Sequence, residues 1–172
     1  MEKVFQVLNQ MQADGVIEHF AIGGGIAAIR YLEAYETNDI DVFLSPVVIG
    51  DSGLISLGSI YSYLGNLGYH AVREGILIED WLVQLVPASE SVQEEAVAEA
   101  QRVSFGKSFT RIFSAEHLAA ELLRSGRPKD HVRVVDLIEL EQFDMAVFKQ
   151  ILARHDLDAK WKTFAKRFDL EE

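Results

Sequence analysis

The chain has 172 residues, a net charge of −11, and 49% apolar against 25% charged residues, enough to bury a core in one domain and too apolar for a disordered chain. It contains no cysteine, which excludes disulfides and thiolate metal sites and fits a reducing, cytoplasmic compartment. The acidic balance argues against duplex DNA, whose phosphates need a cationic face, but leaves room for a nucleotide met locally by a metal and a few amides.

No apolar run reaches the roughly 18 residues that cross a bilayer, so no membrane contact is expected. The opening "MEKVFQVLNQMQADG" is acidic and amphipathic, without an apolar signal core. Within it Val4, Phe5, Leu8 and Met11 recur at helical spacing and predict a helix over 3–13, ended by Asp14 and Gly15. "HFAIGG" reads as a short buried strand entering a glycine turn, and Ile26, Ile29, Tyr31 and Leu32 predict a helix over 26–35. "DIDVFLS" alternates in period two, with Asp39 and Asp41 on one face and Ile40, Val42 and Leu44 on the other. Apolar residues at 54, 57, 60, 61 and 64 predict an amphipathic helix over 53–66, stopped by Gly68.

Two strand-like runs, "HAVREGILIE" and "WLVQLVPA", meet at Glu79 and Asp80 and predict an antiparallel hairpin. Residues 90–101 read as a helix, and "VSFGKSFTRIF" as a pair of short strands or an extended connection. From Ser114 onward the pattern is helical, over 114–124, 128–142, 144–155 and 158–168. Gly126 and Pro128 mark one helix end and the next start. The expected class is α+β: a small mixed β-sheet with flanking helices over 1–113, and a C-terminal helical portion over 114–172 packed on it as one compact unit.

The chemistry concentrates between residues 21 and 44. Side chains two apart on a strand share a face, so Asp39 and Asp41 stand a few ångströms apart and repel unless a cation sits between them. Hard oxygen ligands of this kind suit Mg2+ or Mn2+ carrying substrate phosphates. Gly23, Gly24 and Gly25 let backbone N–H groups approach an anion beside a helix start. The competing reading is a plain turn followed by a solvated strand edge.

"IGGGIAAIRYLEAYETNDIDVFL" resembles the signature of the nucleotidyltransferase superfamily with the DNA polymerase beta-like fold: strand, Gly-Gly, helix, Thr or Ser, then Asp-x-Asp on the next strand. The likeness is to the minimal nucleotidyltransferases, including those of toxin–antitoxin systems. "SAEHLAAELLRSGRPKDHVRVVDLIEL" resembles their C-terminal region, a helix followed by Arg-x-Lys-Asp and a second helix. The resemblance implies that Gly23 and Gly24, or Gly24 and Gly25, hold a nucleoside triphosphate. Thr37 supports the turn, and Asp39 and Asp41 bind Mg2+ as the catalytic pair. It implies transfer of a nucleoside monophosphate to a hydroxyl on a protein, an RNA or a small molecule. A homodimer or a separate protein partner is also admitted, as is a catalytically silent nucleotide-binding or protein-interaction module.

Three positions depart from the family pattern. The third carboxylate falls on Gln84, which can offer a carbonyl oxygen but no charge, and Glu79 and Asp80 lie at the hairpin turn. Tyr35 stands where an Arg is usual, and Glu121 where a Lys is usual, with Arg124 one turn later. Weakened or altered catalysis is expected.

Outside this region, Arg124, Arg127, Lys129 and Arg133 gather four cations within ten residues, suited either to phosphate or to a helix junction in which Asp130 caps or pairs with Arg133. The five histidines show no H-x-x-x-H spacing, so no zinc site is expected, and His117 reads as a surface residue. Ser52, Ser56 and Ser59 lack a triad pattern, "EEAVAE" reads as a solvated helix face, and Trp161, Phe164 and Phe168 form a stripe for the core or a partner.

Overall fold

The computed structural model describes residues 1–32, 35–45, 48–49, 54–55, 57–73 and 75–170. In chain order the elements are α1 (Glu2–Ala13), β1 (Phe20–Ile22), α2 (Gly24–Tyr31), β2 (Asp39–Leu44), β3 (Val48–Ile49), β4 (Leu54–Ile55), α3 (Gly58–Asn66), β5 (Ala71–Val72), β6 (Gly75–Ile78) and β7 (Trp81–Pro87). Then follow α4 (Ser91–Ala98), β8 (Gln101–Phe105), β9 (Ser108–Ile112), α5 (Ala115–Ser125), α6 (Pro128–Ile138), α7 (Met145–Arg154) and α8 (Asp158–Arg167).

Seven strands form one mixed sheet in the order β5-β6-β7-β2-β1-β9-β8, and β3 pairs with β4 as a separate ribbon. β2 runs parallel to β7 and β1 parallel to β9; the hairpin β6–β7 is antiparallel, as the runs meeting at Glu79 and Asp80 predict, and "VSFGKSFTRIF" forms the antiparallel pair β8–β9 rather than an extended connection. Both faces of the sheet are covered. Ile22, Ile40, Val42, Leu44 and Val83 point to one side, where Phe5, Leu8 and Met11 of α1 and Ile60 and Leu64 of α3 complete a core. Ala21 and Phe43 point to the other and pack with α4, α5 and the helices beyond. Period-two alternation therefore sorts two buried layers here, not a buried and a wet one.

The second layer ends in an aromatic cluster. Trp161 and Phe164 are buried, with the Trp161 ring edge-on to Phe148 at 5.3 Å between centroids. The stripe on α8 therefore serves the core. Local signals set the helix ends. Ser114 caps α5 by accepting the His117 N–H, Gly126 closes it at φ 65°, Pro128 opens α6, and the Asp144 carboxylate accepts from Ala146 and Val147 N–H to start α7.

Four expected boundaries are corrected. The helix expected over 90–101 ends at Ala98, because Gln101 of β8 already pairs with Ile112. The helix expected over 53–66 begins at Gly58, because Leu54 and Ile55 pair with Ile49 and Val48 in the ribbon; position 53 lies outside the described residues. The helix expected over 26–35 spans Gly24–Tyr31. It starts early because Gly23 supplies the N-cap, and it stops because buried Leu32 turns extended (φ −112°, ψ 138°). Positions 33 and 34 lie outside the described residues. The helix expected over 128–142 ends at Ile138, where a turn lets Phe143 pack edge-on against Phe148 at 5.3 Å.

Candidate functional site

Asp39 and Asp41 leave β2 on the face that carries Phe43, the one covered by the C-terminal helices. The parallel pairing with β7 sets Gln84 beside Asp41, and the Gln84 Nε2 donates to Asp39 Oδ2 at 3.1 Å. The Thr37 hydroxyl donates to Asp39 Oδ1. Asp39 is thus held from both sides by neutral donors.

The glycine turn closes over Asp41. The Gly23 N–H donates to the Asp41 carbonyl at 3.0 Å, extending the β1–β2 ladder into the turn. At Gly24, φ is +52° and a Cβ would stand 1.8 Å from Asp41 Oδ2, so only glycine fits. A Cβ at Gly25 would stand 2.8 Å from the Thr37 hydroxyl oxygen. The Gly25 N–H, at the start of α2, hydrogen-bonds the Asp41 carboxylate. Burial, and next the Asp39 charge, push Asp41 above the usual carboxylate range; Arg127, the Gly25 N–H and Lys129 pull the other way.

Above these residues lies a cavity of about 530 Å³. Gly24, Gly25, Thr37, Asp39, Asp41 and Gln84 line one side, and Gln93 of α4 with Glu121 and Arg124 of α5 another. The α5–α6 junction supplies Arg127, Lys129, Asp130 and Arg133. The expected residues thus converge on one space, except Gly23, which sits behind the turn with its Cα hydrogens against the Phe43 ring. Glu79 and Asp80 stay in the β6–β7 turn, away from the cavity lining.

The junction cations differ in what already engages them. Arg124 makes a two-pronged pair with Glu121 at 2.7 and 3.0 Å, and Gln93 Nε2 donates to the same carboxylate at 2.9 Å. Arg133 pairs with buried Asp130 at 3.3 Å and lies over the Tyr35 ring. Arg127 is 66% exposed and 3.9 Å from Asp130. Lys129 has no hydrogen bond or ion pair among the described residues, though its charge is felt at Asp41. At the junction Asp130 pairs with Arg133 and braces the helix start, while the cations line the cavity. Tyr35, which stands where the resembled family usually carries an Arg, donates its hydroxyl to Asp136. Burial and that bond push its phenol up to about 12.

Asp39, Asp41 and the carbonyl oxygen that Gln84 can present by turning its amide form a hard-oxygen donor set, the kind Mg2+ or Mn2+ takes. Burial raises the proton affinity of Asp41 most, and the neighbouring Asp39 charge adds to it; a cation between the two carboxylates would offset that second part. The residues fit a divalent cation.

Two expectations away from the cavity are corrected. His117 is buried, because as the third residue after its cap it turns inward between α4 and α5. In "EEAVAE", Ala96 and Val97 are buried and Glu95 bonds Arg154, His117 and His155. Gln93, which lines the cavity, carried one sequence signal, its place three residues after Glu90 in a capping box.

No family model and no curated protein matches the chain by sequence. Among solved structures it is similar to an antigenic nucleotidyltransferase-like protein from Paracoccidioides brasiliensis, at 16% identity and TM-score 0.54, over 94% of this chain and 91% of that one. It also aligns with ANT(2'')-Ia in complex with adenylyl-2''-tobramycin, at 15% identity and TM-score 0.47, over 95% of this chain and 98% of that one. The solution structure of the antibiotic-resistance factor ANT(2'')-Ia aligns at 16% identity and TM-score 0.45, over 98% and 95%. The chain has a nucleotidyltransferase-like fold. Among the described residues no helix is long and apolar enough to cross a membrane.

Proposed function

We propose that the cavity binds a nucleoside triphosphate with Mg2+ or Mn2+ and transfers its nucleoside monophosphate to a hydroxyl acceptor. The observation that carries this reading is the convergence of Gly24, Gly25, Asp39, Asp41, Arg127 and Lys129 on one space of about 530 Å³. A solvated strand edge and a plain turn would not place two carboxylates under a glycine turn and opposite Lys129 and Arg127.

In this reading Asp39 and Asp41 hold the cation, with Gln84 as a neutral third oxygen. When bound, the cation neutralises triphosphate charge and polarises the phosphorus that is attacked. The Gly24–Gly25 turn gives the phosphates close backbone access at the positive end of α2. Lys129 and Arg127 meet the remaining charge. The acceptor oxygen bonds to the α-phosphorus as the bond to pyrophosphate breaks, and the acceptor proton is released. Protein, RNA and small-molecule hydroxyls all satisfy this chemistry. Calorimetry with ATP, CTP, GTP and UTP plus Mg2+, on the wild type and Asp41→Asn, tests it. Binding by the wild type that Asp41→Asn loses is the expected result; wild type that binds none of the four overturns it.

A second reading rests on Gln84, whose amide donates to Asp39 where the family pattern has a carboxylate. It makes the chain a nucleotide-binding or partner-binding module without transfer, as in a toxin–antitoxin pair. Under that reading, α-labelled nucleotide is bound and never transferred by the wild type, and Gln84→Asp gains transfer. Label transferred by the unaltered chain eliminates it.

A further inference from the structure

Beyond the nucleotide cavity, we infer that Glu95, Glu99 and His117 form a second metal site, of the Zn2+ class. His155 orients it, and Arg154 holds its place when no metal is bound. One ligand atom from each of the three residues lies within 4.8 Å of the other two. Glu95 and Glu99 are four apart on the end of α4 and share its face, while His117 comes from α5. The site joins two elements and could not be seen as spacing along the chain.

The rings are aimed. The His117 side chain is 4% exposed; its Nδ1 is 3.0 Å from Ser114 Oγ, which leaves Nε2 pointing at Glu95 Oε1, 3.2 Å away. His155 repeats the device, with Nδ1 2.8 Å from Ser91 Oγ and Nε2 2.8 Å from Glu95 Oε2. A hydroxyl fixing one ring nitrogen while the other faces a metal, and an imidazole fixing a ligating carboxylate, are the outer contacts that metal sites use. Ser114 Oγ accepts the His117 N–H and has a second lone pair for the Nδ1–H of a metal-bound ring.

The place already holds a cation. The Arg154 guanidinium spans both Glu95 oxygens at 2.5 and 3.2 Å, and together with the two histidines it draws the Glu95 pKa down to about 2. Its side chain is 47% exposed at the end of α7, so it can withdraw into water, whereas His117 cannot. Tetrahedral ligands at about 2.0–2.1 Å from a metal stand about 3.3 Å apart, so the three atoms close by a rotamer-sized movement of exposed Glu99. One imidazole with two carboxylates favours Zn2+, Co2+ or Mn2+ over Mg2+. The metal would tie α4, which carries Gln93, to α5, which carries Glu121, and so brace one wall of the cavity.

The test uses the whole chain after chelation, without nucleotide, so its outcome is independent of the nucleotide reading. Co2+ is titrated by visible absorption and Zn2+ by calorimetry, on the wild type, Glu99→Gln, His117→Gln, Arg154→Ala and Asp39→Asn. One metal per chain at this site, present in Asp39→Asn as in the wild type, is expected, weakened at least about tenfold in Glu99→Gln and His117→Gln. Binding is retained in Asp39→Asn and retained or tightened in Arg154→Ala. Glu99 is exposed, so Glu99→Gln keeps the fold and remains decisive if His117→Gln does not. No saturable binding in either the wild type or Arg154→Ala overturns the inference. So does binding that ignores Glu99→Gln, or that Asp39→Asn abolishes.

Discussion

Gly24→Ala is the sharpest probe of the cavity, because two separate costs meet at one atom. The residue sits at φ +52°, a left-handed conformation that costs an L-residue about 1–2 kcal/mol. Its new Cβ would also lie 1.8 Å from Asp41 Oδ2 and 2.7 Å from Cγ, so the carboxylate must swing away and release the Gly25 N–H. Losing a hydrogen bond to a charged group adds about 1.5 kcal/mol or more, giving about 3 kcal/mol in all. Gly15→Ala is the matched control: φ is +71°, and its Cβ would meet nothing within 4 Å. It should lose only the conformational part and leave nucleotide affinity unchanged. Urea unfolding measures the stability of both variants, and calorimetry with Mg2+ and nucleotide measures their affinity. Gly24→Ala should bind at least about tenfold more weakly, which is about 1.4 kcal/mol. If it is no less stable than Gly15→Ala, or binds nucleotide like the wild type, the contact between the turn and Asp41 is not what shapes the site.

Replacing Gln84 by Asp removes the bond to Asp39 and adds a like charge beside Asp41, so the cation-free variant should unfold about 1–2 kcal/mol more easily and recover in Mn2+. A variant as stable as the wild type in chelator would refute this. Glu95, held at about 2 chiefly by the Arg154 hydrogen bond against an ordinary 4.5, has its folded-state pKa depressed. The stability it contributes is present above about pH 4.5 and lost as pH falls toward 2; water around the half-exposed Arg154 trims it to about 1 kcal/mol. Urea midpoints of wild type and Glu95→Gln between pH 6 and 2 should converge as pH falls; a constant difference would refute the linkage. Tyr35→Phe deletes the bond to Asp136 and should lower stability by about 1 kcal/mol, read by urea midpoint. An unchanged midpoint would mean that the bond contributes nothing.

Most of the site was readable because it obeys local periodicity. Asp39 and Asp41 are two apart on a strand, and period two dictates a shared face; the glycines immediately precede a helix start. What the pattern left open was whether the acid face is wet. That depends on α4 and α5 returning over β2 from far along the chain, a long-range packing with no local mark. The same limit explains His117. Its neighbours Leu118 and Ala119 are equally buried; Ser114 meets one ring nitrogen locally, but the partner of the other, Glu95, arrives from α4. The pairing of Val48–Ile49 with Leu54–Ile55 has no mark in the sequence for a different reason. Short apolar runs fit helical and strand templates alike, and only the pairing partner decides.

On the proposed function, the chain's net charge of −11 and a phosphate substrate would be reconciled within the cavity, not by the surface as a whole. Arg124, Arg127, Lys129 and Arg133 face Glu36, Asp39, Asp41, Glu121 and Asp130, a formal charge of −1. Glu121 pairs with Arg124, and Asp130 with Arg133 and more distantly with Arg127, which leaves Lys129 as the cation that has no pair among the described residues to face the aspartates. A triphosphate entering that balance alone gains little, because each phosphate attracted by Lys129 also approaches Asp41. A divalent cation reverses the sign of the lining to +1. On the nucleotide reading, cation and triphosphate therefore bind as one unit, each raising the affinity of the other by the same factor. On the same reading, Gln84 would set how strongly the cation binds by itself: with a neutral amide in the third position, the triphosphate oxygens would have to supply the charge that a third carboxylate supplies.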